Sequence, residues 1–137
     1  MTDRMRPPIA EQHRALILED EFGVAMVLSE LLESEGYAVR HFVDGMAALR
    51  ATERWLPHVI LLDLTLPGMD GREFARALRE LPAPAGATPV VLITGALGGV
   101  ESAPELGAQA AIRKPFDLDL VLDTLHGLLA SSPASES

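Results

Sequence analysis

Polar residues follow four largely apolar segments of the sequence, each at the point where the segment ends. The segments are residues 15–18, 59–62, 90–93 and 110–113, and the residues that follow them are Glu19 and Asp20, Asp63, Thr94 and Lys114. Carboxylates, a hydroxyl and an ammonium are the groups that phosphoryl transfer uses, because this reaction depends mainly on positioning and on charge neutralisation. These five residues are therefore the candidate site.

The three carboxylates of this set call for a cation. Acids held close together raise one another's pKa and destabilise the fold. Mg²⁺ removes this repulsion, and it prefers a few carboxylates together with waters and phosphate oxygens. Thr94 can donate to an anionic oxygen, and Lys114 offers a compact positive charge to a phosphoryl group. With these neighbours, Asp63 is the expected acceptor.

Each residue also has an ordinary structural explanation. The run Glu19-Asp20-Glu21 could be a helix N-terminus, where acids are favourable. Asp63 and Thr94 could be turn residues, and Lys114 could be a surface lysine. The joint arrangement favours a site, because chance seldom ends four strands in the groups that one reaction needs.

The elements that must position these residues alternate along the chain. Apolar runs of strand length occur at 15–18, 37–42, 59–62, 90–93 and 110–113, and helical patterns at 22–35, 44–54, 71–81 and 117–129. This order predicts an α/β domain over residues 14–130, with a parallel sheet covered by helices on both faces. Residues 1–13 are expected to be a flexible leader and residues 131–137 a disordered tail. Ligands of such sheets bind beyond the carboxyl ends of the strands, where the five candidates should meet.

Composition narrows the classes of function. The chain has 137 residues, no cysteine and a net charge of −9, so disulfides and zinc–thiolate sites are excluded. The acidic balance argues against direct nucleic-acid binding, which needs Lys and Arg to neutralise phosphates. No apolar run approaches the roughly 20 residues of a membrane span, and the N-terminus is not typical of a signal peptide. A cytoplasmic protein without a membrane partner is expected.

Four segments resemble the signature blocks of response-regulator receiver domains. They are LILEDE (16–21), VILLDLTLPGMDG (59–71), VVLITGA (90–96) and AAIRKPFD (110–117), in the order of that family. The resemblance covers about residues 14–130. It implies a flavodoxin-like (βα)5 fold, a doubly wound five-stranded parallel sheet with strand order 2-1-3-4-5, in a single-domain protein.

The resemblance also implies a role for each candidate. Asp63 would be the phosphoacceptor, and Thr94 and Lys114 would bind the phosphoryl group. Mg²⁺, or Mn²⁺, would be held by Asp20 directly, by Glu19 through water, by Asp63, and by the backbone carbonyl of Thr65. The Lys114–Pro115 peptide bond would be cis.

Two departures from the family concern the part of the domain that would pass the signal to a partner. Position 111, three residues before the lysine, often carries an aromatic residue in the family but is alanine here. The spacing from Thr94 to Lys114 is about two residues shorter than the family's, and Gly98, Gly99 and Pro104 lie between them. A short or irregular fourth helix is therefore expected.

The resemblance implies a phosphorylation-dependent switch of a two-component system or phosphorelay, not an enzyme that turns over external substrates. A sensor histidine kinase or a histidine phosphotransfer protein would donate the phosphoryl group, and an unidentified downstream protein would respond. The alternative is a receiver-fold interaction module that works without phosphorylation. An Asp-based phosphatase is disfavoured, because Thr65 stands where such enzymes usually carry a second Asp. The leucine-rich stripe of the last helix could also support a homodimer.

Overall fold

The computed structural model describes residues 13–66 and 68–130. The expected tail, Pro67 and all but the last residue of the expected leader lie outside the described part. Five parallel strands form one sheet in the order β2-β1-β3-β4-β5. Their bounds are β1 Arg14–Leu18, β2 Ala38–Phe42, β3 Val59–Leu62, β4 Val90–Thr94 and β5 Ala110–Arg113. The predicted sheet and strand order are confirmed.

Four α-helices cover the two faces of the sheet in the described part of the chain: α1 Phe22–Ser34, α2 Gly45–Trp55, α3 Gly71–Glu80 and α4 Leu118–Ala130. Successive side chains of a strand point to opposite faces. Leu16 and Leu18 of β1 accordingly pack in the cluster that includes α2 and α3. Ala15 and Ile17 pack with α1 and α4. The sheet is therefore doubly wound, as predicted.

Local residues explain where α1 ends and where α3 begins. Gly36 has a φ of 93° and follows α1, where its N–H donates to Glu33 O and the N–H of Tyr37 donates to Leu32 O. This is a Schellman motif, which glycine favours. Helix α3 begins with a capping box, in which Asp70 accepts from the Arg72 N–H and Glu73 accepts from the Asp70 N–H.

Residues 95–109, which connect β4 to β5 and are all described, contain no α-helix. They contain one 3-10 turn, Val100–Ser102. Ala103 and Leu106 take the place of a helix face, since both are buried in the cluster with α3. Arg79 fastens this connection: its guanidinium donates to the carbonyls of Gly86, Thr88 and Gly107 at 3.1, 2.8 and 2.7 Å. The predicted irregularity of the fourth helix is confirmed.

Two expectations about surfaces concern the helices. Within the described residues, no helix is both long and apolar enough to cross a lipid bilayer. Most of the leucine-rich stripe of α4 is used inside the domain, because Val121, Leu125 and Leu129 are buried in the core and Leu122 and Leu128 pack against it. A homodimer through the remaining edge, which includes the exposed Leu118, stays a prediction.

Candidate functional site

Lys114 is the centre of the predicted site. Its Nζ lies 2.9 Å from Glu19 Oε1 and 3.0 Å from Asp63 Oδ2, and the Lys114 side chain is only 15% exposed. A third carboxylate, Glu21 Oε1, lies 2.7 Å from the same nitrogen. The carboxyl ends of β1, β3 and β5 therefore meet through one ammonium group, at the edge of the sheet that the sequence predicted.

The three acids of the predicted metal set lie together. Ligand oxygens of Glu19, Asp20 and Asp63 are all within 4.8 Å of one another. Glu19 is 2% exposed and Asp63 is 5% exposed, whereas Asp20 is exposed. Carboxylate oxygens at this spacing match the hard oxygen ligands that Mg²⁺ prefers. The residues present thus fit a divalent cation.

Backbone amides hold two of these carboxylates in place. The N–H of Glu21 donates to Glu19 Oε2 at 3.0 Å, and the N–H of Thr65 donates to Asp63 Oδ1 at 3.1 Å. The second oxygen of each carboxylate receives the Lys114 ammonium. Both acids are thereby oriented toward the cleft before any ligand binds.

The electrostatics of the cluster favour added positive charge. Burial, with a smaller contribution from the Asp63 charge, raises the pKa of Glu19 to about 7 against the opposing effects of Lys114 and the Glu21 N–H. For Lys114, burial disfavours the charged form, but its hydrogen bonds to Glu21, Glu19 and Asp63 outweigh that effect and raise its pKa. The carboxylates around Lys114 thus stabilise a positive charge at this point of the cleft.

The helix-cap explanation of the acidic run does not describe these side chains. Helix α1 begins at Phe22 with Glu21 as its N-cap residue, and the Glu21 side chain makes no capping hydrogen bond. Glu21 reaches Lys114 instead, and Glu19 accepts from the Glu21 amide. The acids are used by the cleft rather than by the helix end.

Thr94 is in position but not directed at the acids. It ends β4, is fully buried, and its Oγ1 accepts a hydrogen bond from the Ala96 N–H at 3.1 Å. An open cleft of about 270 Å³ lies beside it, and among the described residues its lining is Asp20, Glu21, Asp63, Thr65, Gly95, Ala96 and Lys114. Thr94 is absent from this lining, although the two residues that follow it belong to it, and Thr65 contributes to the wall.

Glu21 is a residue of this cleft that the sequence did not single out. It was part of the acidic run, but residue type alone gave no reason to separate it from a helix start.

The Lys114–Pro115 peptide bond is cis, as the resemblance implied. Position 111 is alanine, so no aromatic ring is present there. The Ala111 side chain is half-buried against the α2–α3 side of the core.

Comparison with known sequences agrees with this geometry. A family model described as "Response regulator receiver domain" matches residues 15–126. Sporulation initiation phosphotransferase F of Bacillus subtilis (strain 168) is 32% identical over 118 residues, which are 85% of this chain and 93% of that protein. Sensory transduction protein RegX3 of Mycobacterium tuberculosis (strain ATCC 25618 / H37Rv) is 33% identical, but the match spans 49% of its length. This chain therefore covers about half of several longer relatives.

Solved structures give the same result. A putative response regulator from Chloroflexus aurantiacus J-10-fl superposes with a TM-score of 0.81 at 30% identity, over 88% of this chain and 99% of that one. The receiver domain of sensor histidine kinase PA1611 from Pseudomonas aeruginosa PAO1, which has a magnesium ion in its active-site cleft, gives 0.79 at 29% identity, over 88% and 99%.

Receiver domains act as signalling switches, bind Mg²⁺ in an acidic pocket, and interact with histidine kinases or phosphotransfer proteins. The match over residues 15–126, the strand order and the acidic cleft all lead to one assignment. The chain belongs to the response regulator receiver domain family.

Proposed function

We propose that this chain is a phosphorylation-dependent switch of a two-component system or phosphorelay, with Asp63 as the phosphoacceptor. The observation that carries the proposal is the position of Asp63, at the end of the central strand β3 with Oδ2 3.0 Å from the Lys114 ammonium. The donor is a phosphohistidine of a sensor histidine kinase or of a histidine phosphotransfer protein.

In the transfer, a carboxylate oxygen of Asp63 attacks phosphorus. A new P–O bond forms, the P–N bond to the donor imidazole breaks, and its electron pair returns to the imidazole nitrogen. The Thr65 N–H fixes one carboxylate oxygen at 3.1 Å, which keeps the carboxylate oriented during attack. Lys114 neutralises charge on the transferred group, which is the main demand of this reaction.

Glu19, Asp20, Asp63 and the backbone carbonyl of Thr65 would hold the divalent cation. When bound there, Mg²⁺ or Mn²⁺ supplies positive charge to the phosphoryl oxygens and offsets the repulsion among the acids. The support for this set is the grouping of the three carboxylates within 4.8 Å.

The signal leaves the site through Thr94. In the resting state its hydroxyl accepts the Ala96 N–H. A rotation of Thr94 that brings its hydroxyl hydrogen to a phosphoryl oxygen and breaks the bond from Ala96 would free the start of the helix-free β4–β5 connection. A downstream partner that binds only one of the two arrangements would then see a population shift. With Ala111 in β5, no aromatic side chain takes part at that position.

Intact mass spectrometry tests the proposal. The protein is incubated with Mg²⁺ and acetyl phosphate, beside Asp63→Asn, which removes the nucleophilic carboxylate at constant size. We expect a gain of one phosphoryl mass in the wild type, and none in the variant or with EDTA.

If the domain does not accept small phosphodonors, beryllofluoride binding in the presence of Mg²⁺ provides a second test. Saturable binding that requires Asp63 supports the proposal even without acetyl phosphate transfer. If the wild type neither gains mass nor binds beryllofluoride, the phosphorylation switch is wrong and the interaction module without phosphorylation takes its place.

A further inference from the structure

Three carboxylates surround the Lys114 ammonium, which carries three hydrogens and accepts nothing. It donates to Glu21 Oε1 at 2.7 Å and to Asp63 Oδ2 at 3.0 Å, and it lies 2.9 Å from Glu19 Oε1. A phosphoryl oxygen that reaches the ammonium therefore competes with these carboxylates.

The three carboxylates differ in what it costs to release them. Glu19 is 2% exposed and Asp63 is 5% exposed, so neither can recover its lost hydrogen bond from bulk water. A buried carboxylate that loses the ammonium is strongly destabilised unless a cation takes its place, as the proposed metal would for Glu19 and Asp63. The side chain of Glu21 is 62% exposed, and water can replace Lys114 around it. Glu21 is the partner that yields at least cost.

We propose that Glu21 is a positioning residue that occupies the ammonium of Lys114 until a phosphoryl group arrives, and that it lowers the affinity of the site for that group by competing with it. The inference rests on the proposed function. The Glu21 side chain does not cap α1, so replacing it leaves the helix start intact.

The chain carries its own probe for this exchange, because Lys114 is its only lysine among 11 basic residues. Protein labelled with ¹⁵N at the lysine side chain gives one ammonium resonance. Beryllofluoride with saturating Mg²⁺ serves as the phosphoryl mimic. Glu21→Gln removes the charge at constant size.

Glu101→Gln is the matched control. Glu101 is 66% exposed and pairs with Arg113, the residue next to Lys114, at 3.2 Å. Both variants change the net charge equally, and both remove an exposed glutamate from an ion pair. Only Glu21 contacts Lys114.

We expect the free Lys114 resonance to differ between wild type and Glu21→Gln, and to be unchanged in Glu101→Gln. After beryllofluoride binding, the resonances of all three proteins should coincide, because Glu21 no longer contacts the ammonium. Glu21→Gln should bind beryllofluoride about two- to fivefold more tightly than wild type, because water already screens the exposed Glu21 carboxylate and limits what its ion pair contributes.

Two results would overturn the inference while beryllofluoride still binds. The first is an equal affinity in wild type and Glu21→Gln. The second is a difference between their Lys114 resonances that persists in the bound state, since Glu21 would then act only through its field. Absence of beryllofluoride binding in all three proteins would instead count against the proposed function itself.

Discussion

Gly71, the first residue of α3, lies directly against the backbone of Asp63. A Cβ at position 71 would be 2.6 Å from the Asp63 carbonyl oxygen and 2.5 Å from the Cα of Leu64. The N–H of Gly71 also donates to Leu64 O at 3.0 Å. The absence of a side chain at one position thus lets α3 begin beside the candidate phosphoacceptor.

Gly71→Ala is expected to lower the free energy of unfolding by about 1–3 kcal/mol, because the added methyl meets backbone atoms that cannot rotate away. The displaced turn also carries the Thr65 N–H, so phosphorylation should fall with stability. Urea denaturation and mass spectrometry measure the two effects. The control is Gly23→Ala in α1, where nothing lies within 4 Å of a Cβ and where a small stabilisation of up to about 1 kcal/mol is expected.

Arg79→Met should destabilise the domain by about 1–3 kcal/mol, because it leaves carbonyls of Gly86, Thr88 and Gly107 without their donor. Amide hydrogen exchange should rise most in the β4–β5 connection. Arg76→Met, at an exposed arginine of the same helix, removes the same charge and should change stability by less than about 0.5 kcal/mol. Equal effects of the two variants would contradict the bracing role of Arg79.

Stability should fall on the acid side through His58. The Arg14 N–H donates to His58 Nδ1 at 2.8 Å, which requires this nitrogen to be unprotonated. Burial lowers the pKa of His58 below 6.5, and the Arg14 and His13 charges lower it further. The unfolded chain then binds more protons, so this contribution is complete above pH 6.5 and is lost as the pH falls from there through the folded-state pKa.

His58→Asn keeps an acceptor of similar reach without a titrating ring. Chemical denaturation at a series of pH values should show a shallower decline for the variant than for the wild type below pH 6.5, the ordinary histidine value. Parallel curves for the two proteins would contradict the role of His58.

Lys114→Met is expected to raise Mg²⁺ affinity, because the ammonium and a divalent cation compete for oxygens of Glu19 and Asp63. A gain of roughly tenfold is expected, well below the Coulomb limit for charges at this separation. Isothermal titration calorimetry measures it. Arg113→Met removes the neighbouring exposed cation and should change Mg²⁺ affinity by less than about threefold; a similar gain in both variants would mean that only net charge matters.

Much of the fold could be predicted because its signals are local. The apolar runs of β1, β3 and β4 are buried on both faces, and the polar residues after them mark the carboxyl edge where Asp63 and Lys114 meet. Helix α1 ends before Gly36, whose φ of 93° is a conformation that glycine adopts readily. These features depend on residue type and spacing alone.

The contacts that escaped prediction join distant parts of the chain through long side chains. Glu21 and Lys114 are 93 residues apart, and their contact depends on the turn between β1 and α1 rather than on any periodic pattern. Arg79 reads as a surface residue of α3, yet it binds the carbonyl of Gly107, 28 residues later. Its partners are backbone carbonyls, which every residue type carries, so the sequence does not identify them.

The single lysine makes the proposed switch chemically addressable. Apart from the α-amino group, Lys114 is the one primary amine of this chain, and every other basic side chain among the 11 is an arginine. An amine is acylated only in its neutral form, and the carboxylates around Lys114 raise its pKa, so acylation at this position should be slow in the folded protein. The rate of such labelling would change with the charge beside the ammonium, in a protein that needs no engineered label.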